Sequence, residues 1–314
     1  MVELLRYEHG IYAFDAGYIR PQLAAIHLIV ENGQVAVVDT ANNTALPRAL
    51  EALRMLGLTP ECVARVFLTH IHLDHAGGAG AMMRAFPEAR LVVHPRGARH
   101  MADPSQLFAA VRAVYGAEEA HRLYGDLLPV AADRILARGD GDTFDLGGRT
   151  LVCLDTPGHA RHHLCLLDTR SGALFTGDVF GLSFRELDVD GRPSILPTTT
   201  PTHFDPDAMH ASVDRILDYR PEAVYLTHYA RVADVPRLGS DLHRLIDAHV
   251  AVAERERDHP ERGARILDGL WALMEAEAAR QGWRLKPDQW RAVVGPDLEL
   301  NAQGLDYWLD QAAH

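Results

Sequence analysis

Between positions 70 and 75, inside the stretch FLTHIHLDHAGGAG, stand His70, His72, Asp74 and His75. Imidazole nitrogen and carboxylate oxygen are donors that divalent transition metals take up readily, so metal binding is the first chemistry this pattern allows. The apolar run RVFLTH delivers the chain to His70. Side chains two apart in an extended segment share a face, which sends His70 and His72 the same way. Asp74 and His75 follow as the chain turns into a glycine-rich helix start. Two ligand pairs from one loop can serve two cations a few ångströms apart, and such a site needs about three further protein donors.

Three other apolar runs each finish in one donor. LDTPGH ends at His159 after a Pro-Gly turn, ALFTGD ends at Asp178, and VYLTH ends at His228. A total of 18 histidines, partly clustered, points to the same chemistry.

Here the chain resembles the metallo-β-lactamase-fold superfamily, in particular its glyoxalase II-like hydrolases, over roughly residues 10–230. The family's HxHxDH motif falls on His70, His72, Asp74 and His75, its PGH histidine on His159, its GD aspartate on Asp178 and its last histidine on His228. The resemblance implies a four-layer αβ/βα sandwich holding two divalent ions, zinc first, with iron or manganese as alternatives. His70, His72 and His159 would hold one ion, Asp74, His75 and His228 the other, and Asp178 would bridge them. Asp39, in VAVVDT, would support the histidine loop from behind. Departures are DTA in place of DTG, His162 and His163 where many relatives carry small residues, and the chain beyond 236.

Composition narrows the substrate. A net charge of −12 repels a phosphate backbone, and no basic groove is visible, so a small-molecule substrate fits better than a nucleic acid. Cys62, Cys153 and Cys165 are odd in number and lack CxxC spacing, as expected of free thiols in a reducing cytoplasm. Charges break up the N-terminus, and nowhere do eighteen apolar residues run together, so neither export nor a membrane span is expected.

The elements that must position the donors are of both kinds. IYAFDAGY, AAIHLIVENGQVAVVDT, RVFLTH, ARLVVHP, TFDLGGRTLVCLDTPG, HHLCLLDTRSGALFTGD and AVYLTHY read as strands, the second folded at Asn32-Gly33 into a hairpin. ALPRALEALRMLGL and residues 98–128 have helical spacing, and Asp205 with Pro206 marks a helix start. The class is therefore α+β. From Pro236 onward only amphipathic helical patterns remain, which divides the chain into a domain at 1–235 and a helical C-terminal extension at 236–314. Glu254 to Asp258 reads as a solvated helix face. Trp271, Trp283, Trp290 and Trp308 read as packing within that extension or as a homodimer contact.

Further candidates near the site are His162, His163, His203 and Tyr229. In a strand, one of His162 and His163 must point away from the metals. His27 and His94 read as structural. The expected activity is hydrolysis of a small thioester, ester or lactone by a hydroxide bridging the ions, with Asp74 orienting it and Asp178 setting the metal spacing. A phosphodiesterase or nuclease of the same fold and an iron-binding redox or regulatory protein are the alternatives.

Overall fold

Runs of β-branched and aromatic residues between turn signals form β1 (Leu4–Arg6), β2 (Ile11–Asp15), β3 (Ala25–Glu31) and β4 (Gln34–Val38), paired as an antiparallel meander. The computed structural model describes residues 2–200 and 202–311. Asn32 (φ 46°) and Gly33 (φ 79°) turn β3 into β4, the left-handed pair that a two-residue hairpin requires. The sheet continues in parallel through β5 (Val63–Phe67), β6 (Arg90–Val93) and β7 (Ile135–Ala137). Parallel neighbours need crossovers. Those are α1 (Leu46–Met55), then α2 (Leu73–Ala76) with α3 (Ala79–Ala85), then α4 (Pro95–Ala102), α5 (Ser105–Tyr115) and α6 (Ala117–Tyr124). The helical stretch expected over 98–128 is thus broken, at Asp103-Pro104 and at Gly116, whose φ of 82° ends a helix turn.

A second, six-stranded sheet contains β8 (Thr143–Leu146), β9 (Arg149–Asp155), β10 (Leu164–Asp168), β11 (Leu174–Gly177), β12 (Ala223–Leu226) and β13 (Ala230–Ala233), each beside its neighbour in sequence. β8 to β11 pair antiparallel. The α+β class expected from the sequence is the one observed.

Packing gathers the chain into two compact units. The first comprises Met1–Asp155, His162–Gly177 and Thr227–Ala230. Its core includes Phe14, Ile26, Leu28, Val37, Leu53, Val66, Phe86 and Leu91, all fully buried. The buried guanidinium of Arg149 forks onto Asp168 across β9 and β10.

The second unit comprises Thr156–Arg161, Asp178–Leu226 and Arg231–His314. It carries α7 (Pro206–Asp218), α8 (Val235–Glu256), α9 (Arg262–Gln281) and α10 (Pro287–Gln311). Asp205 caps α7 by accepting from the Ala208 amide at 3.0 Å, as its position before Pro206 predicts. Trp290 is buried, its ring 6.1 Å from that of Trp271 and 5.7 Å from that of Trp283, while Trp308 packs edge-on to Phe204. The tryptophans therefore pack within the chain. Glu256 departs from the expected solvated face: it is buried and ion-paired to Arg255 and Arg265. No helix among the described residues is long and apolar enough to cross a membrane.

Candidate metal centre

Parallel pairing of β4 with β5 sets Val38 beside Phe67, so Asp39 and the segment Leu68–His70 leave the sheet together. The backbone continues that pairing, with the Asp39 amide donating to the Phe67 carbonyl at 2.9 Å. Asp39 is buried, and its two oxygens accept from four groups: the Thr69 amide (2.8 Å), the Thr69 hydroxyl (2.9–3.0 Å), the Thr227 hydroxyl (2.7 Å) and Nδ1 of His75 (2.8 Å). The resemblance implied a supporting place for Asp39 behind the histidine loop, and the structure joins it to His75 of that loop by a hydrogen bond.

A carboxylate or carbonyl oxygen can only accept, so each imidazole nitrogen facing one carries the proton. Nδ1 of His75 donates to Asp39, Nδ1 of His228 to the Leu23 carbonyl at 2.6 Å, and Nδ1 of His159 to the Thr198 carbonyl at 3.3 Å. His70 completes the set through Thr69: the threonine proton is committed to Asp39, so its oxygen accepts from Nδ1 of His70 at 3.1 Å. All four rings thereby keep Nε2 as the basic nitrogen. Such outward bonds fix the tautomer and orientation of metal-ligating imidazoles.

The Nε2 atoms of His75, His159 and His228 face other donors at separations longer than good hydrogen bonds. His228 Nε2 is 3.3 Å from Asp74 Oδ2, His75 Nε2 is 3.6 Å from the same oxygen, and His159 Nε2 is 3.5 Å from Asp178 Oδ2. Donors about 2.0–2.1 Å from one tetrahedral ion stand about 3.3 Å apart. The spacing fits a shared cation. Donor atoms of Asp74, His75 and His228 lie within 4.8 Å of one another. His70 Nε2 and His72 Nδ1 are closest, at 2.9 Å. These His/Asp clusters can bind metal ions.

Glycines let the backbone come this close. A Cβ on Gly78 would sit 2.6 Å from the Thr40 carbonyl and 2.7 Å from that of Asn42, so α2 and α3 can dock beside Asp39 only with no side chain there. Gly177, with φ of 47°, would drive a Cβ to 2.7 Å from both Thr69 and Nε2 of His163. Ala41, which replaces the glycine of the DTG pattern, also sits in the left-handed region, at φ 48°. The departure changes the residue and keeps the turn.

His162 and His163 depart from the alternation expected of a strand. β10 begins only at Leu164, so the two residues lie in a turn and both rings face His70, at 6.2 Å and 5.1 Å between centroids. His162 also packs edge-on to His72 at 5.7 Å. Tyr229 is buried in a small cluster with Ala13, Ala25 and Ala230. His203 is half-buried on the loop before α7. His27 is buried edge-on to Phe175, its imidazolium pushed down to about 4 by burial, partly countered by Asp39. His94 caps α4 by accepting from the Arg96 amide. Both have structural roles, as read from sequence.

Two supporting residues escaped the sequence reading: Thr69 and Thr227. The signal was present, because Leu-Thr-His occurs at both strand ends, at 68–70 and at 226–228.

Residues 20–228 match the family model described as Metallo-beta-lactamase superfamily. Among curated relatives, the Metallo-beta-lactamase fold-containing protein ST1585 of Sulfurisphaera tokodaii is 25% identical over 230 residues, covering 70% of this chain and 78% of that one. Its crystal structure superposes with a TM-score of 0.63 over 95% of this chain and 98% of its own, at 21% identity, which speaks to the fold. An Atrochrysone carboxyl ACP thioesterase of Passalora fulva is 26% identical over 77% of this chain, and the match spans 59% of that protein. A Hydroxyacylglutathione hydrolase of Synechococcus sp. is 32% identical over 47% of this chain and 44% of its own length.

Proposed function

Because this chain belongs to the metallo-β-lactamase superfamily, whose model covers residues 20–228, we propose that it is a metal-dependent hydrolase of small thioester-type substrates, glyoxalase II-like in its chemistry. Seven residues would hold two ions, zinc by preference: His70, His72 and His159 one, Asp74, His75 and His228 the other, with Asp178 between them. The observation that carries this reading is the set of imidazoles whose Nδ1 protons are tied outward while Nε2 atoms stand 3.3–3.6 Å from carboxylate oxygens. Two relatives whose names denote thioester hydrolysis support the substrate class.

Bound divalent ions would supply water ionised near pH 7 and a Lewis acid for the acyl carbonyl. The protein's own work is positional. Asp39 keeps the proton on Nδ1 of His75 and, through Thr69, on Nδ1 of His70, so both rings stay oriented without moving during turnover. Asp74, one-quarter exposed where the histidines are buried, is the carboxylate best placed to orient incoming water.

The test is metal quantification on the purified protein beside an Asp178→Ala variant, followed by turnover of thioesters, lactones, aryl esters and phosphodiesters. Two ions in the wild type, at least one lost in the variant, and thioester turnover abolished with it are expected. A variant that keeps both ions and full activity removes Asp178 from the site. Phosphodiester turnover above that of thioesters would replace the substrate class.

A further inference from the structure

Away from the centre just described, α7 and α8 bring two histidines and two aspartates together at the surface. His210 and Asp214 are one turn apart on α7, as are His243 and Asp247 on α8, and the two imidazole rings lie nearly parallel, 7° between their planes and 4.9 Å between their centroids. Each ring is tied to the carboxylate of the other helix: Nε2 of His210 lies 3.0 Å from Asp247, and Nε2 of His243 lies 3.0 Å from Asp214.

A carboxylate accepts only, so both Nε2 atoms carry protons, and in the neutral rings both Nδ1 atoms are bare lone pairs. Those two lone pairs face each other at 2.6 Å. Two acceptors cannot stand so close without a proton or a metal ion between them. We propose that His210 and His243 form a separate binding site for one divalent transition ion of the zinc, nickel or copper class, held by the two Nδ1 atoms.

Imidazole nitrogen suits these ions, and the carboxylates play the part that outer carboxylates play at metal-bound histidines, fixing the tautomer and raising ligand basicity. A 2+ ion also balances Asp214 and Asp247, whereas a shared proton leaves the four-residue group with net negative charge. Both histidines are about one-quarter exposed, so water can complete the coordination shell. Opening the nitrogens from 2.6 Å to the roughly 2.9–3.3 Å that two donors on one ion require needs only a small rotation of partly exposed rings. The site does not depend on the reading of the metal centre on the histidine loop.

The experiment titrates nickel(II), and in a separate run copper(II), into protein dialysed free of loosely held ions, comparing the wild type with His210→Gln and His243→Gln. Expected are one extra equivalent of ion in the wild type, weakening of at least tenfold in each variant, and a copper(II) resonance spectrum with splitting from two nitrogens. Neither side chain lies in the core, so the variants should unfold at the wild-type temperature when no added ion is present. Equal extra uptake by all three proteins would overturn the proposal. So would imidazole proton resonances of His210 and His243 that shift with pH and stay sharp when stoichiometric nickel(II) is added, because that is the behaviour of a proton-sharing pair.

Discussion

Asp39 and His75 lie 36 positions apart in sequence and are joined by a hydrogen bond of 2.8 Å from imidazole Nδ1 to Oδ2. The same carboxylate collects Thr69 and Thr227, the residues before His70 and His228, so one buried anion sets the backbone or ring at three of the proposed ligand positions. Asp39→Asn keeps the shape and turns an NH2 toward donors that need an acceptor. Outer-shell losses of this kind cost roughly tenfold to a hundredfold in metal affinity. Competition against a chromophoric chelator should show that weakening in a variant whose circular dichroism is unchanged; wild-type affinity would mean the histidines hold their tautomers without Asp39.

A second brace comes from the C-terminal helices. Asn301 on α10 is buried, accepts from the Thr199 amide at 2.7 Å and donates to the Pro197 carbonyl at 3.0 Å, pinning the segment whose Thr198 carbonyl receives Nδ1 of His159. A Cβ on Gly304 would fall 1.6 Å from the Thr199 carbonyl, so α10 packs on this segment backbone to backbone. On the proposed ligand set, Asn301→Ala and Gly304→Ala should each speed release of the ion that His159 would hold by roughly tenfold, while the other ion stays. Release of both ions at equal rates, or of neither, would show that the contact braces the fold and not the ligand.

Acid should weaken the fold through His249. Its Nδ1 donates to the Leu245 carbonyl at 2.8 Å within α8, and burial pushes its imidazolium down to about 4. The unfolded chain takes up that proton near pH 6.5, so it binds more protons than the native state between about 6.5 and 4, and stability falls as pH drops through that window. The loss reaches on the order of 3 kcal/mol once the pH is below the folded value. His249→Leu should flatten the decline in unfolding free energy from pH 6.5 to 4.5, and curves that run parallel for variant and wild type would assign the acid sensitivity elsewhere.

What was legible in the sequence follows a physical division. Candidate metal donors at strand ends are visible because apolar runs announce the strand and a lone His or Asp breaks it, as at His159, Asp178 and His228. Asp39 was visible only through the family resemblance, as the aspartate near the end of an early strand. The partner of His159 was not, because a backbone carbonyl has no residue type, and Asn301, which pins its segment, lies 102 positions from Thr199. His162 and His163 misled because strand alternation was extended two residues too far, into the turn before Leu164. Arg149 gave no sign of full burial, since an arginine in a strand reads as surface until Asp168 appears opposite it.

The residues after Asp178 bear on the leaving group. Val179, Phe180 and Leu182 are buried and apolar, and the one hydroxyl that follows, Ser183, donates to the Ser194 carbonyl at 2.6 Å. This stretch offers no acid to a departing oxygen. Tyr229, a candidate near the site by sequence, is buried in the cluster with Ala13, Ala25 and Ala230. A simple alkoxide must be protonated as it leaves, whereas a thiol with a pKa of about 8.5 departs largely unaided near neutral pH. For matched acyl groups, kcat/KM should therefore rank thioesters and activated aryl esters at least about tenfold above alkyl esters, a gap set by leaving-group acidity. Lactones should fall between, because the tethered alkoxide stays in place and gains from proximity. His203→Ala provides the control, since it removes the half-buried imidazole on the loop before α7. A flat series in the wild type that becomes steep in His203→Ala would identify that histidine as the acid and reverse the reading of the loop.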